Sequence, residues 1–138
     1  MGYGCQKDFH IDDYLKVFRR TSPVKRTWDR RSPEGLQYIE PDPLTPQQKE
    51  YLLNLGALGL AGEGGEVVDL IKKHLFHGKP LDRAKLIEEL GDQLWYFQCC
   101  LEAIDATFEE VAQQNEQKGR KRFPHGWSKD RANAPREK

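Results

Sequence analysis

Two pairs of acidic residues have spacings that could do chemistry. Glu63 and Glu66 are three residues apart, as are Glu89 and Asp92, and at about 100° per residue each pair projects from neighbouring positions on one side of a helix. Taken singly, such a pair is ordinary on a solvated helix face. Together, the two pairs are symmetric about the His77–Gly78 junction. An antiparallel hairpin turning there brings Glu66 level with Glu89 and Glu63 level with Asp92. Glu63 also falls within an apolar stripe of Leu60, Val67, Leu70, Ile71 and His74, where a carboxylate is costly to bury unless a cation meets it. Four converging acids repel one another, and their hard oxygens suit Mg²⁺, with Mn²⁺ as the alternative. The competing reading is a salt-bridged network with Lys72, Lys73 and Lys85 as counter-ions. A di-iron carboxylate centre would place His at the fourth position of each motif, where this chain has Glu66 and Asp92. His74 and His77 have ligand-like spacing, but one lies on the apolar stripe and the other at the turn, which suits packing and capping.

Residue types that bind phosphate accompany the acids. Lys73 projects close to the direction of Glu66, and Asn115, Lys118 and Arg122 share one helix side at i, i+3 and i+7. By itself a basic last turn complements the helix dipole. Beside a divalent cation, Lys and Arg are the groups that meet polyphosphate oxygens, so the whole set reads as apparatus for phosphoryl chemistry.

The elements that must position these residues are helical. Ile11, Tyr14, Leu15, Val17 and Phe18 predict a short amphipathic helix ending near Thr21. Residues 22–44 contain Pro23, Pro33, Pro41 and Pro43 with Trp28 and Tyr38 and no clear period, an irregular connection that is either functional or disordered. Thr45 followed by Pro46 caps the next helix. Gly56, Gly59, Gly62, Gly64 and Gly65 interrupt its pattern, and two readings stay open: a break between two helices, or side chains missing where a backbone or ligand comes close. A phosphate loop is not supported, because the run lacks a Gly-Lys-Ser/Thr ending and a preceding strand. Gly78 and Pro80 mark the next break. A second long helix follows over about 82–104, with Leu86, Leu90, Leu94, Phe97 and Leu101 on one stripe. Thr107 and Glu110 form a capping box for a last helix from Phe108 toward Lys121, stopped by Pro124. The tail after Trp127 is polar and is expected to be mobile. With no strand alternation and no repeat, the fold class is all-α, an antiparallel bundle of four to five helices.

Composition narrows the function classes. The chain of 138 residues, 37% hydrophobic, suits one domain with a modest core. Lys plus Arg total 22, as do Asp plus Glu, so nothing overall attracts nucleic acid or an acidic membrane. No apolar run approaches a bilayer span, and the N-terminus lacks a basic segment followed by an apolar one. Cys5, Cys99 and Cys100 form no framework of pairs and suit a reducing compartment. The expectation is a cytoplasmic protein without zinc.

The residues also carry a resemblance. Ala57-Leu-Gly-Leu-Ala-Gly-Glu63-Gly-Gly-Glu66-Val-Val-Asp-Leu-Ile-Lys-Lys73, then Glu88-Glu89-Leu-Gly-Asp92-Gln-Leu-Trp95-Tyr96, then Asn115-Glu-Gln-Lys118-Gly-Arg-Lys-Arg122-Phe-Pro-His-Gly126 closely resemble the MazG-like nucleotide pyrophosphohydrolases, which are all-α. The likeness covers roughly Leu53 to Trp127, with a weaker similarity around Tyr14 and Thr21. With length and patterning, the expectation is a single MazG-like domain over 1–138: an N-terminal helix with a proline-rich connection over 1–44 that looks like an insertion, a catalytic helical core over 45–127 and the tail over 128–138. The resemblance implies hydrolysis of a (deoxy)nucleoside triphosphate to the monophosphate and pyrophosphate. Glu63, Glu66, Glu89 and Asp92 match magnesium ligands, and Asn115, Lys118 and Arg122 match positions near substrate phosphates. Glu66 is the carboxylate chosen as base, and Trp95 either stacks on a nucleobase or packs in the core. A homodimer or homotetramer is expected. The alternatives are a narrower substrate (dCTP, dUTP, a damaged nucleotide, an alarmone or phosphoribosyl-ATP) or a non-catalytic helical oligomerisation module.

Overall fold

The structure, a computed structural model, describes residues 10–24 and 42–135. Cys5, Trp28, Pro33, Tyr38 and Pro41 lie outside them. The described residues form five helices: α1 (Ile11–Thr21), α2 (Pro46–His77), α3 (Arg83–Ala103), α4 (Phe108–Arg122) and α5 (Lys129–Asn133). Among these residues no strand occurs, only an isolated bridge between Pro124 and Gly126, so the all-α class holds. None of the described helices is long and apolar enough to cross a membrane. The chain divides into two compact units, Met1–Ile104 and Asp105–Lys138.

Local chemistry sets the ends of α2 and α3. Thr45 Oγ1 accepts from the Gln48 N–H at 3.2 Å while Gln48 Oε1 accepts from the Thr45 N–H at 2.9 Å, a reciprocal box that satisfies two otherwise unpaired donors. Pro46 follows at the first helical position, where its missing N–H costs nothing. At the far end Gly78 takes a left-handed φ of 64°, the Lys79 N–H returns to the Lys73 carbonyl at 3.2 Å, and His74 Nδ1 donates to the Lys79 carbonyl at 2.9 Å. His74 therefore serves as a cap. Asp82 then accepts from the Lys85 N–H at 3.0 Å and starts α3.

α2 runs unbroken for 32 residues, which removes the reading of the glycine run as a break. Close approach accounts for two of the five glycines. A Cβ on Gly56 would lie 2.5 Å from Cys100 Sγ and 2.8 Å from the Tyr96 carbonyl oxygen, and one on Gly59 would overlap the Tyr96 ring. Gly62, Gly64 and Gly65 would meet nothing within 4 Å.

The core of the first unit gathers Phe18 of α1, Leu44, Leu52 of α2, and Cys99 and Ala103 of α3, with Val24, Leu55 and Trp95 packed against it. Of the leucine stripe that periodicity suggests on α3, Leu101 is buried and Leu86, Leu94 and Phe97 are partly buried, but Leu90 is half exposed. The face turned to α2 instead carries Glu89, Asp92, Tyr96 and Cys100, because close approach at the glycines rotates the helix to bring Tyr96 onto α2. In the second unit, α4 begins with the expected box between Thr107 and Glu110. Past Trp127, where a mobile tail was expected, Ser128 caps the short α5 by accepting from the Arg131 N–H at 3.3 Å.

The two classes of glycine should respond oppositely to alanine. Gly59→Ala forces the Tyr96 ring aside and is expected to destabilise by about 1–3 kcal/mol. Gly62→Ala adds a methyl to open space and should stabilise by up to about 1 kcal/mol. Urea unfolding of the two variants against wild type measures both.

Candidate metal centre

Register places the acids. In the antiparallel hairpin Gly56 meets Cys100 and Gly59 meets Tyr96. One turn further along α2, and one turn back along α3, Glu63 meets Asp92. Carboxylate oxygens of Glu63, Glu89 and Asp92 lie within 4.8 Å of one another. Glu89 is 5% exposed, Glu63 is partly buried and Asp92 is open to solvent, so the group is reachable from one side. Glu66 is exposed and not part of this trio. Its charge still reaches Glu63 and Lys73.

Electrostatics show what the cluster lacks. Burial pushes the Glu63 carboxyl up from its ordinary value, and the charges of Asp92, Glu89 and Glu66 push it further in the same direction. Of the three lysines that a purely structural network would use, only Lys85 pairs with the trio, with Nζ 2.9 Å from Glu89 and 2.8 Å from Glu88. Lys72 and Lys73 are both paired with Asp69, whose carboxyl their hydrogen bonds hold down at about 2. Negative charge therefore accumulates on Glu63, Glu89 and Asp92 beyond what Lys85 offsets. An all-oxygen set with excess negative charge fits a hard divalent cation better than a soft one.

Other candidate residues have varied surroundings. Lys73 stays within reach of the Glu66 charge while paired with Asp69. Trp95 donates its indole N–H to Thr21 Oγ1 at 2.9 Å, lies 5.5 Å from the Phe18 ring and meets Tyr96 edge-on at 5.1 Å. These contacts make it a fastener between α1 and α3, the core role that was the alternative to base stacking. In the second unit, Asn115 and Lys118 are exposed on α4. Arg122 donates to the Ala132 carbonyl at 2.8 Å and lies 5.1 Å above the Phe123 ring, which ties α5 to the end of α4.

In sequence, Tyr14 is a member of the apolar stripe of α1 and lies in the segment of weaker family similarity. Among the described residues its buried hydroxyl has no hydrogen-bond partner, and burial, followed by the charges of Cys99 and Asp92, pushes it up to about 12. A buried phenolic donor without an acceptor, within the field of Asp92, marks the α1 side of the cluster. Neither Tyr14's place one turn before Phe18 nor the weaker similarity around it distinguishes a packed ring from a donor.

Comparison with known proteins supplies a family. The model of the MazG nucleotide pyrophosphohydrolase domain matches residues 54–127, a span holding all four acids and the α4 residues. The Gene 37 protein of Mycobacterium phage L5 is 28% identical over 121 residues, covering 85% of this chain and 91% of that protein. No solved structure matches.

A carboxyl with a raised pKa keeps its proton in the folded state at a pH where the unfolded chain has already released it. Its stabilising contribution is therefore present below the ordinary glutamate value of 4.5 and lost as pH rises through the raised value. Metal-free Glu63→Gln should accordingly melt higher than wild type at neutral pH, with the difference shrinking as pH falls toward 4.5. Paired thermal melts across that range measure it.

Proposed function

Because the chain belongs to the MazG nucleotide pyrophosphohydrolase family, we propose that it is a cytosolic, Mg²⁺-dependent enzyme that hydrolyses a (deoxy)nucleoside triphosphate to the monophosphate and pyrophosphate. The observation that carries this reading is the convergence of Glu63, Glu89 and Asp92 from two helices with too little positive charge to balance them. When bound, the divalent ion supplies Lewis-acid neutralisation of polyphosphate oxygens. Mn²⁺ suits the same oxygens.

Within this reading the residues divide the work. Glu63, Glu89 and Asp92 hold the ion. Glu66, one turn from Glu63 and outside the trio, is free to take the proton from a water attacking the α-phosphorus, or to complete the metal's coordination. Lys73, which also feels the Glu66 charge, can leave Asp69 for a phosphate oxygen. Asn115, Lys118 and Arg122 of α4 are further phosphate-binding groups. Trp95 is left out, since its N–H and both of its aromatic contacts are engaged. Self-association as a dimer or tetramer is supported by the outer side of α2, where Leu58, Val68, Leu75 and Phe76 are between 64% and 79% exposed.

A nucleotide panel with Mg²⁺, scored for pyrophosphate against orthophosphate, tests the reaction. Pyrophosphate from one or more triphosphates is expected; selective turnover of dCTP, dUTP or an alarmone would narrow the substrate. Orthophosphate alone would reject attack at the α-phosphorus, and no turnover of any nucleotide would favour a non-catalytic helical module. Glu66→Gln should retain its helical circular dichroism and lose at least about 100-fold in kcat. Activity near wild type would remove Glu66 from the mechanism.

A further inference from the structure

Glu89 is the most buried member of the trio, and it already has a cation. Lys85, one turn earlier on α3, places Nζ 2.9 Å from a Glu89 oxygen and 2.8 Å from a Glu88 oxygen. A divalent ion held by the trio must draw on the same Glu89 carboxylate, so ammonium and metal compete for one anion. Lys85 can give way at low cost: it is a compact charge on a flexible stem, and its side chain is 44% exposed. Glu88, more exposed still, is a second anion within reach. Glu88 and Glu89 are adjacent in the chain, so rotation of the lysine stem is enough to move between them.

We propose that Lys85 is a built-in placeholder cation, which holds the Glu89 carboxylate in position in the metal-free protein and withdraws to Glu88 as a divalent ion loads. Lys85 thereby sets the concentration at which the site fills. The inference rests on the reading of Glu63, Glu89 and Asp92 as a metal site, and it goes further by assigning a role to a residue that is neither ligand nor base. One observation and one physical argument carry it. Lys72 and Lys73 of α2 are taken by Asp69, and among the described residues Lys85 is the lysine ion-paired with a member of the trio. A positive charge held against a ligand oxygen also repels an incoming divalent ion, so removing that charge strengthens metal binding even though it leaves Glu89 without its partner in the empty state.

The test titrates Mg²⁺, and separately Mn²⁺, into the metal-free full chain, followed by calorimetry and by the rise in Tm. Wild type is expected to bind. Lys85→Met should melt lower without metal and half-saturate at about three- to tenfold lower metal concentration. Lys85→Gln, a neutral variant that keeps a hydrogen-bond donor, should shift the same way and supplies the comparison if the methionine variant does not fold. Lys85→Arg, which keeps the charge, should bind no tighter than wild type. Unchanged or weaker affinity in a folded neutral variant, with wild type binding, would overturn the role of Lys85 and leave the metal site standing. Absence of divalent binding in wild type and in both neutral variants would overturn the metal site and the placeholder together. Binding only by the neutral variants would support a lysine that holds the site closed.

Discussion

The close approach of α2 and α3 at Gly56 and Gly59 is the contact on which the rest of the first unit depends. With no Cβ at either position, the Tyr96 ring and the Cys100 sulfur come up against the α2 backbone. Interiors packed this tightly do not slide by a fraction of a residue, so the contact acts as a register pin. Glu63 is one turn beyond Gly59, and Asp92 is one turn before Tyr96. At 1.5 Å per residue, pinning the glycines carries that register about 6 Å along both helices to the carboxylates. The symmetry of the acidic pairs about the turn becomes a meeting of side chains because two glycines and a tyrosine hold the helices at that offset.

What the helices bring together is electrostatically unfavourable by itself. Glu63 is partly buried among like charges, and burial together with the charges of Asp92, Glu89 and Glu66 pushes its carboxyl up. Cations along the hairpin are distributed so that the penalty is only partly offset. Asp69 binds Lys72 and Lys73 outside the trio, and Lys85 divides its contacts between Glu88 and Glu89. A structural salt-bridge network would pair the partly buried Glu63 as well as Glu89, since an unpaired charge is what makes such networks costly, and among the described ion pairs Lys85 meets Glu89 and not Glu63. The imbalance has a natural resolution in a bound divalent cation, and it agrees with membership of a pyrophosphohydrolase family.

α1 closes one flank of this arrangement through aromatic contacts. Phe18 enters the core beside Trp95, and Thr21 accepts the Trp95 indole proton. One turn earlier the same helix buries the Tyr14 hydroxyl within the field of Asp92. The short helix therefore contributes packing at one end and an unsatisfied donor at the other. Its anchoring to α3 also explains why Trp95, a candidate for nucleobase stacking by residue type, is engaged in holding two helices together.

The sequence by itself determined the helical class, the ends of α2, α3 and α4 and the meeting of Glu63 with Asp92, while Glu66 falls outside the cluster and α5 was not legible. Thr45-Pro46, Gly78, Asp82 and the Thr107–Glu110 box act over three or four residues, so their effect is legible without the rest of the chain. The family was legible for a related reason, since its signature lies in contiguous segments. Tertiary structure alone decided which glycines are packed and which are open, which lysine faces Glu89, where the Trp95 N–H points and that the Tyr14 hydroxyl lacks a partner. It also decided that Leu90 faces outward while Tyr96 faces α2. All of these depend on how each helix is rotated about its axis, and that rotation is set by contacts between residues far apart in the chain, which helical periodicity does not encode.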